Sequence, residues 1–163
     1  MAITAAQADE ATFDTLVANA RAENDPLAKQ RMFEALAGVH DPALASKVMR
    51  MALDGAMPTG SNVGILFSIA TIHPDLSWHN VVPHLADASA GIDVPMQWLL
   101  ATEFASASTD LGRVADVQGY AASHVPASSR QPFEGAESSI RANRRIAEQV
   151  LPEIDHWIAG RKH

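Results

Sequence analysis

The side chains in this chain that could build metal or acid–base chemistry are seven histidines and nineteen acidic residues. A zinc hydrolase needs something like His-Glu-x-x-His, which sets two imidazoles on one helix face with a glutamate as base. No histidine here is followed by glutamate. His79 and His84 are five apart, a poor ligand spacing, and Pro83 interrupts any helix between them. His40 and His73 occupy equivalent corners between helical segments, where an imidazole can bond to helix-end carbonyls. These four histidines read as structural. Nucleophile and phosphate signatures are also missing: there is no Gly-x-Ser-x-Gly, no cysteine, no Gly-x-x-x-x-Gly-Lys loop and no Gly-x-Gly-x-x-Gly turn. The carboxylate pairs Asp9/Glu10 and Glu134/Glu137 fall on polar helix faces and read as solvated. Trp78, Trp98 and Trp157 fall at apolar stripe positions and read as core. From the residues alone no catalytic group and no metal ligand can be named.

The elements that would have to position any site are helices. The chain has 163 residues, 47% of them hydrophobic and 19% charged, which suits one folded domain spanning 1–163. Alanine is very common and β-branched residues never alternate, so helix is favoured. A net charge of −7 repels phosphate backbones and argues against nucleic acid as a partner. The basic cluster Arg141, Arg144, Arg145 and the pair Arg161, Lys162 read as a solvated face and tail. No apolar run approaches the roughly 20 residues of a membrane span, and MAITAAQADEATF lacks the basic start of a signal peptide. The expectation is a soluble cytoplasmic protein.

Taken in order, Ala5–Glu23 predicts a helix with Phe13, Leu16, Val17 and Ala20 inward. Asp25-Pro26 starts a second over Leu27–Val39, with Leu27, Met32 or Phe33, Leu36 and Val39 inward. Asp41-Pro42 repeats that start and leads a stripe of Leu44, Val48, Met51 and Ala52, closed by Gly55. After the loop Met57–Gly60, either Ser61 or Asn62 can cap Val63–Ile72, which is apolar nearly all round and should be the centre of the core. Pro74 opens Asp75–Ala88, with Leu76, Val81, Val82 and Leu85 apolar, and Pro83 should kink or end it. Beyond a turn at Ala90–Asp93, Val94–Ser108 turns Met96, Leu99, Leu100 and Phe104 inward. Asp110 caps Leu111–His124, whose stripe is Val114, Val117 and Tyr120 or Ala121. A long helix then runs from about Arg130 to Gln149, and beyond Pro152 a short one, Glu153–Ala159, carries Ile154, Trp157 and Ile158. This makes eight or nine helices with no strand, an all-α fold of antiparallel hairpins.

One hairpin is partly repeated. Leu36–Leu44 can be laid on Ile69–Leu76 with one residue deleted at the corner, which puts Leu44 and Leu76 32 residues apart. A weaker third copy puts Leu111 35 residues further on. Periods of this size fit stacked helical pairs; chance similarity between helix corners is the rival account.

The order of several segments resembles a known domain. They are Arg31–Ala37; Asp41-Pro42-Ala43-Leu44 through Met51-Ala52-Leu53; Trp78-His79-Asn80-Val81-Val82; Val117–His124; Ala136–Asn143; and Ile154-Asp155-His156-Trp157-Ile158. The sequence resembles, from about residue 12 to residue 159, the C-terminal helical (ERAP-like) domain of zinc aminopeptidases of the puromycin-sensitive and aminopeptidase N type. It departs from that pattern at Pro83 and at Arg144-Arg145-Ile146, where relatives often have a tryptophan nearby.

The resemblance implies a bowl of stacked helical hairpins, HEAT- or armadillo-like, that encloses a peptide cavity over a separate catalytic domain. It implies zinc in that catalytic domain and none in this chain, and as partners that domain and a peptide on the concave face. No catalytic residue of the family can be carried onto these positions. Basic residues on cavity-facing helices could hold a peptide carboxylate, and Lys47, Arg50 and Arg141 are the candidates, with the lining face left open. The alternative function is a free-standing helical-repeat module that binds peptide or protein.

Overall fold

The computed structural model describes residues 5–58, 60–87 and 92–160. Within them the chain is all α-helical, with no strand. The helices are α1 (Glu10–Ala22), α2 (Pro26–Leu36), α3 (Pro42–Leu53), α4 (Asn62–Ala70), α5 (Pro74–Val81), α6 (Val94–Ser106), α7 (Gly112–His124), α8 (Gln131–Arg145) and α9 (Leu151–Gly160). The last two are joined without a break by the π-helical turn Ile146–Val150. The expected Ala90-Gly91 part of a turn and the Arg161-Lys162 pair lie outside the described residues. Contacts divide the chain into two compact units, Met1–Phe104 and Ala105–His163.

The first three helices of the first unit share one start device. Asp9 Oδ1 accepts from the Thr12 N–H at 2.9 Å, Asp25 Oδ1 from Ala28 at 2.7 Å, and Asp41 Oδ1 from Ala43 and Leu44 at 2.8 and 3.0 Å. Each carboxylate satisfies N–H groups that a helix start leaves without intrahelical partners. Bonding from Thr12, side chain first and then backbone, holds the Asp9 carboxyl below the usual range. Pro26 and Pro42 follow at positions where a missing N–H costs nothing.

Stacking in this unit forms two layers. Helices α1 and α2 pack together, as do α3 and α4; α3 also packs on α5 and α2 on α4. Lys47 of α3 meets Glu10 and the Phe13 ring of α1. So α1, α3 and α5 form one layer and α2 and α4 the other, the arrangement of successive hairpins in a helical repeat. Phe13, Phe33, Leu36, Val39, Val48, Met49, Leu66 and Ile69 are buried between them.

Two side-chain hydrogen bonds join one hairpin to the next, both between residues 34 apart. His73 Nε2 bonds the Val39 carbonyl oxygen at 2.9 Å, and Asn80 Nδ2 donates to Ser46 Oγ at 2.9 Å. This constant offset agrees with the 32-to-35 period and favours a genuine repeat over chance similarity. The deleted corner residue has a physical consequence. Asp41 caps α3, but the equivalent cap of α5 falls on His73, which makes no side-chain cap bond to its own helix. Its ring instead serves the earlier corner. His40 is exposed.

Pro83 acts as expected: α5 stops at Val81 and a 3-10 segment, Val82–Asp87, takes over. Several inward assignments are corrected. Leu27, at the first turn of α2, is 56% exposed, and Leu99 on α6 is 44% exposed. Helix α4 buries Ile65, Leu66, Ile69 and Ala70, while Ile72 past its end is exposed. Its cap is Ser61, which makes no side-chain cap bond.

In the second unit, α7 packs on α8. Val114, Val117 and Ala121 are buried on one helix, and Phe133, Ala136 and Ile140 on the other. Gln118 Nε2 donates to Glu137 Oε2 at 2.9 Å. Asn143 Nδ2 donates to the Ser106 and Ser108 carbonyls at 2.7 and 3.2 Å, which satisfies the open end of α6. Tyr120 stacks between His124 and Phe133, with centroids at 4.6 and 5.8 Å, and burial raises its pKa.

The expected stop before Pro152 does not occur. Proline lacks the N–H of the helical ladder and its ring crowds the carbonyl four residues back. Here the preceding turn widens, and the Leu151 N–H bonds Ile146 five residues back. The added residue carries the helix through Pro152. Ile154, Trp157 and Ile158, expected to form a buried stripe, are all exposed.

Asp41→Ala removes the bonded cap of α3 at the repeated corner. It should lower unfolding stability by about 1 kcal/mol, read by urea denaturation followed by circular dichroism. Asp93→Ala, at a cap with a single bond to Met96, should cost less.

Candidate functional site: a groove between α1 and α3

The three cations named from sequence are divided between the two units. Arg141 lies on α8 in the second unit and is exposed. Lys47 and Arg50 lie on α3 in the first unit. They line a cleft of about 300 Å³ with Phe13, Asp14, Val17 and Arg21 of α1 and with Met51 and Asp54.

Helical spacing builds this cleft. On α1, Phe13 and Val17 are one turn apart, and Arg21 is one turn further along the same face. On α3 and its C-cap, Lys47, Arg50, Met51 and Asp54 recur at three and four residues. The two faces give an apolar floor of Phe13, Val17 and Met51 under a rim of three cations and two carboxylates. Lys47 Nζ donates to Glu10 Oε1 at 2.6 Å and lies 6.0 Å from the Phe13 ring centroid. The bond to Glu10 raises the Lys47 pKa above its usual value of 10.5. Arg21 and Arg50 take part in no ion pair among the described residues.

A second cleft of about 260 Å³ shares Arg21 and adds Lys29, Phe33, Ala56, Met57 and Pro58. Arg21 therefore stands between two hollows with apolar walls. The sequence reading missed it. The available signal was its place two turns after Phe13, on the rim of a stripe already assigned inward.

An arginine over an apolar floor can hold a carboxylate in two parallel bonds while the floor receives a neighbouring apolar side chain. Among the described residues no group of three or more His, Asp or Glu is placed to hold a metal ion, and no helix is long and apolar enough to cross a membrane. A second arginine also escaped the sequence reading: Arg113 of α7 is 1% exposed, and its Nη1 donates to Asp116 at 2.7 Å. No protein-family model matches the chain, and neither a curated protein nor a solved structure is found to be similar to it.

The Lys47–Glu10 bond fixes a pH dependence. Because the Lys47 pKa is raised on folding, its contribution is complete below the ordinary value of 10.5 and is lost as pH rises through the higher folded value. Denaturation midpoints should therefore fall as pH rises above 10.5. Lys47→Met should show a smaller fall over that window than the parent, and the same fall in both would remove the assignment.

Proposed function

We propose that this chain acts as the C-terminal lid of a zinc aminopeptidase of the puromycin-sensitive and aminopeptidase N type, covering the peptide cavity and leaving bond cleavage to a separate catalytic domain. The observation that supports this most is the coincidence of two patterns in the first unit. The Asp41-Pro42 hairpin, which carries much of the motif order, is also the one whose neighbours stack on it in two layers with a constant 34-residue offset. In this reading the zinc belongs to the catalytic domain and no step passes through this chain. The chain's own part is to enclose and position peptide. Arg50 and Arg21 are the groups suited to a peptide carboxylate, because neither is committed to an ion pair among the described residues and both border an apolar floor.

The test combines the purified chain with a catalytic core of this enzyme type that lacks its C-terminal domain. The chain alone should not turn over aminoacyl-aminocoumarins with added zinc. It should co-elute with the core and change how trimming depends on peptide length. In that complex, Arg21→Ala with Arg50→Ala should raise KM for peptides about tenfold, the scale of one charge-assisted hydrogen bond, and leave aminoacyl-aminocoumarin hydrolysis unchanged. Robust turnover by the chain alone would sink the proposal. Failure to bind the core, with direct binding of peptide, would favour a free-standing helical-repeat module.

A further inference from the structure

The last turns of the protein pose a packing problem that the rest of the fold does not solve. Every described residue from Glu148 to Gly160 is exposed, yet this segment is rich in large apolar side chains. Ile146, Val150, Leu151, Ile154 and Ile158 are each 40% to 50% exposed. They are not scattered around the helix. At about 100° per residue in the α-helical part and a slower advance through the π turn, all five fall within an arc of about 120°. The π turn contributes to this, since its extra residue brings Ile146 and Val150 back into line with Ile154. A stripe of this width is the kind that packs on another helix.

Charge along the same helix narrows the choice of partner. Arg141, Arg144 and Arg145 precede the stripe; Glu148, Glu153 and Asp155 run along it. The helix is therefore basic at its start and acidic further on. A parallel copy would put like charges side by side. An antiparallel copy puts them in opposition, and one register pairs them on a flank of the stripe. With the twofold axis near Gln149 and Val150, Arg145 of one copy faces Glu153 of the other on one side of the stripe. Arg144, two residues before Ile146, stands on the reverse face of the helix and pairs with its own Glu148. The same register sets Val150 beside Val150 and Ile146 near Ile154.

We infer that this surface is a self-association site, in which the segment 144–158 of one chain packs antiparallel on the same segment of a second copy. Ten half-exposed aliphatic side chains, with the stems of the flanking arginines, would bury on the order of 1,000 Å², the size of a weak or transient interface. The dimer is therefore of modest strength and concentration-dependent. Twofold symmetry follows from the contact, because the same patch serves both copies. The inference is independent of the lid reading, since it uses no residue of the α1–α3 groove and no catalytic domain.

Sedimentation equilibrium on the full chain, from about 1 to 300 μM, reads the association directly, the range in which an interface of this size is expected to form. The expected result is a monomer–dimer equilibrium. Ile154→Glu should shift it to monomer with an unchanged circular dichroism spectrum, since the side chain is outside the core. Arg145→Glu should weaken association at least tenfold, and Arg145→Glu combined with Glu153→Arg should restore it. The chain has no cysteine, so single cysteines report the register. Val150→Cys should form a disulfide-linked dimer under mild oxidation, and Ile158→Cys should not. A monomer throughout the range, an Ile154→Glu variant that dimerises like the parent, or cross-linking through Ile158→Cys in preference to Val150→Cys would each overturn the proposal.

Discussion

A helical hairpin leaves part of its apolar stripe in water until another hairpin lies against it, and residues 10–81 are arranged around that constraint. Helix α3 makes this plain. It buries Leu44, Ala45, Val48, Met49, Ala52 and Leu53, which is more than one face of a two-helix unit could cover. It packs on α4 and on α5, and it meets α1 through Lys47. The polar groups of the corners follow the same logic. The carbonyl of buried Val39 needs a partner once the next hairpin covers it, and His73 supplies that bond from the next corner.

Surface chemistry follows from the same stacking. Where α1 and α3 lie side by side, their inner faces are consumed by packing and their outer edges meet as a groove. The residues on those edges are the ones that helical spacing leaves beside the stripe: Arg21, Lys47 and Arg50, with Asp14 and Asp54. There the charged side chains of both signs stand over Phe13, Val17 and Met51. The groove is a tertiary feature, since Arg21 and the cations of α3 stand 26 or more residues apart in sequence.

The second unit solves its packing differently at its two ends. Between α7 and α8 the stripe is covered, and Asn143 secures the end of α6. Past Arg145 the helix carries an equally apolar face with nothing of its own chain upon it among the described residues. The π turn before Pro152 allows that extension. Without it, a proline at this position would have bent or ended the helix, and the apolar residues on either side would not share one face.

The sequence by itself determined the helices, most of their starts and much of the core. Aspartate caps, prolines at first turns and apolar spacing of three and four are local signals, and local hydrogen bonding and side-chain entropy are sufficient to act on them. The stop at Pro83 and the stripes of α1, α3 and α7 were readable for this reason. Tertiary structure decided what depends on a neighbour. Leu27 and Leu99 have the spacing of core residues, but among the described residues no helix comes to cover them. Pro83 and Pro152 look alike in sequence; one ends its helix and the other does not, because a widened turn before Pro152 makes room for its ring. Lys47 and Arg50 were nominated by charge alone, and their association with Arg21 appeared only when two helices came together. Arg141 carries the same charge and stands on the other unit. Charge is a property of the residue, whereas a groove is a property of two packed surfaces.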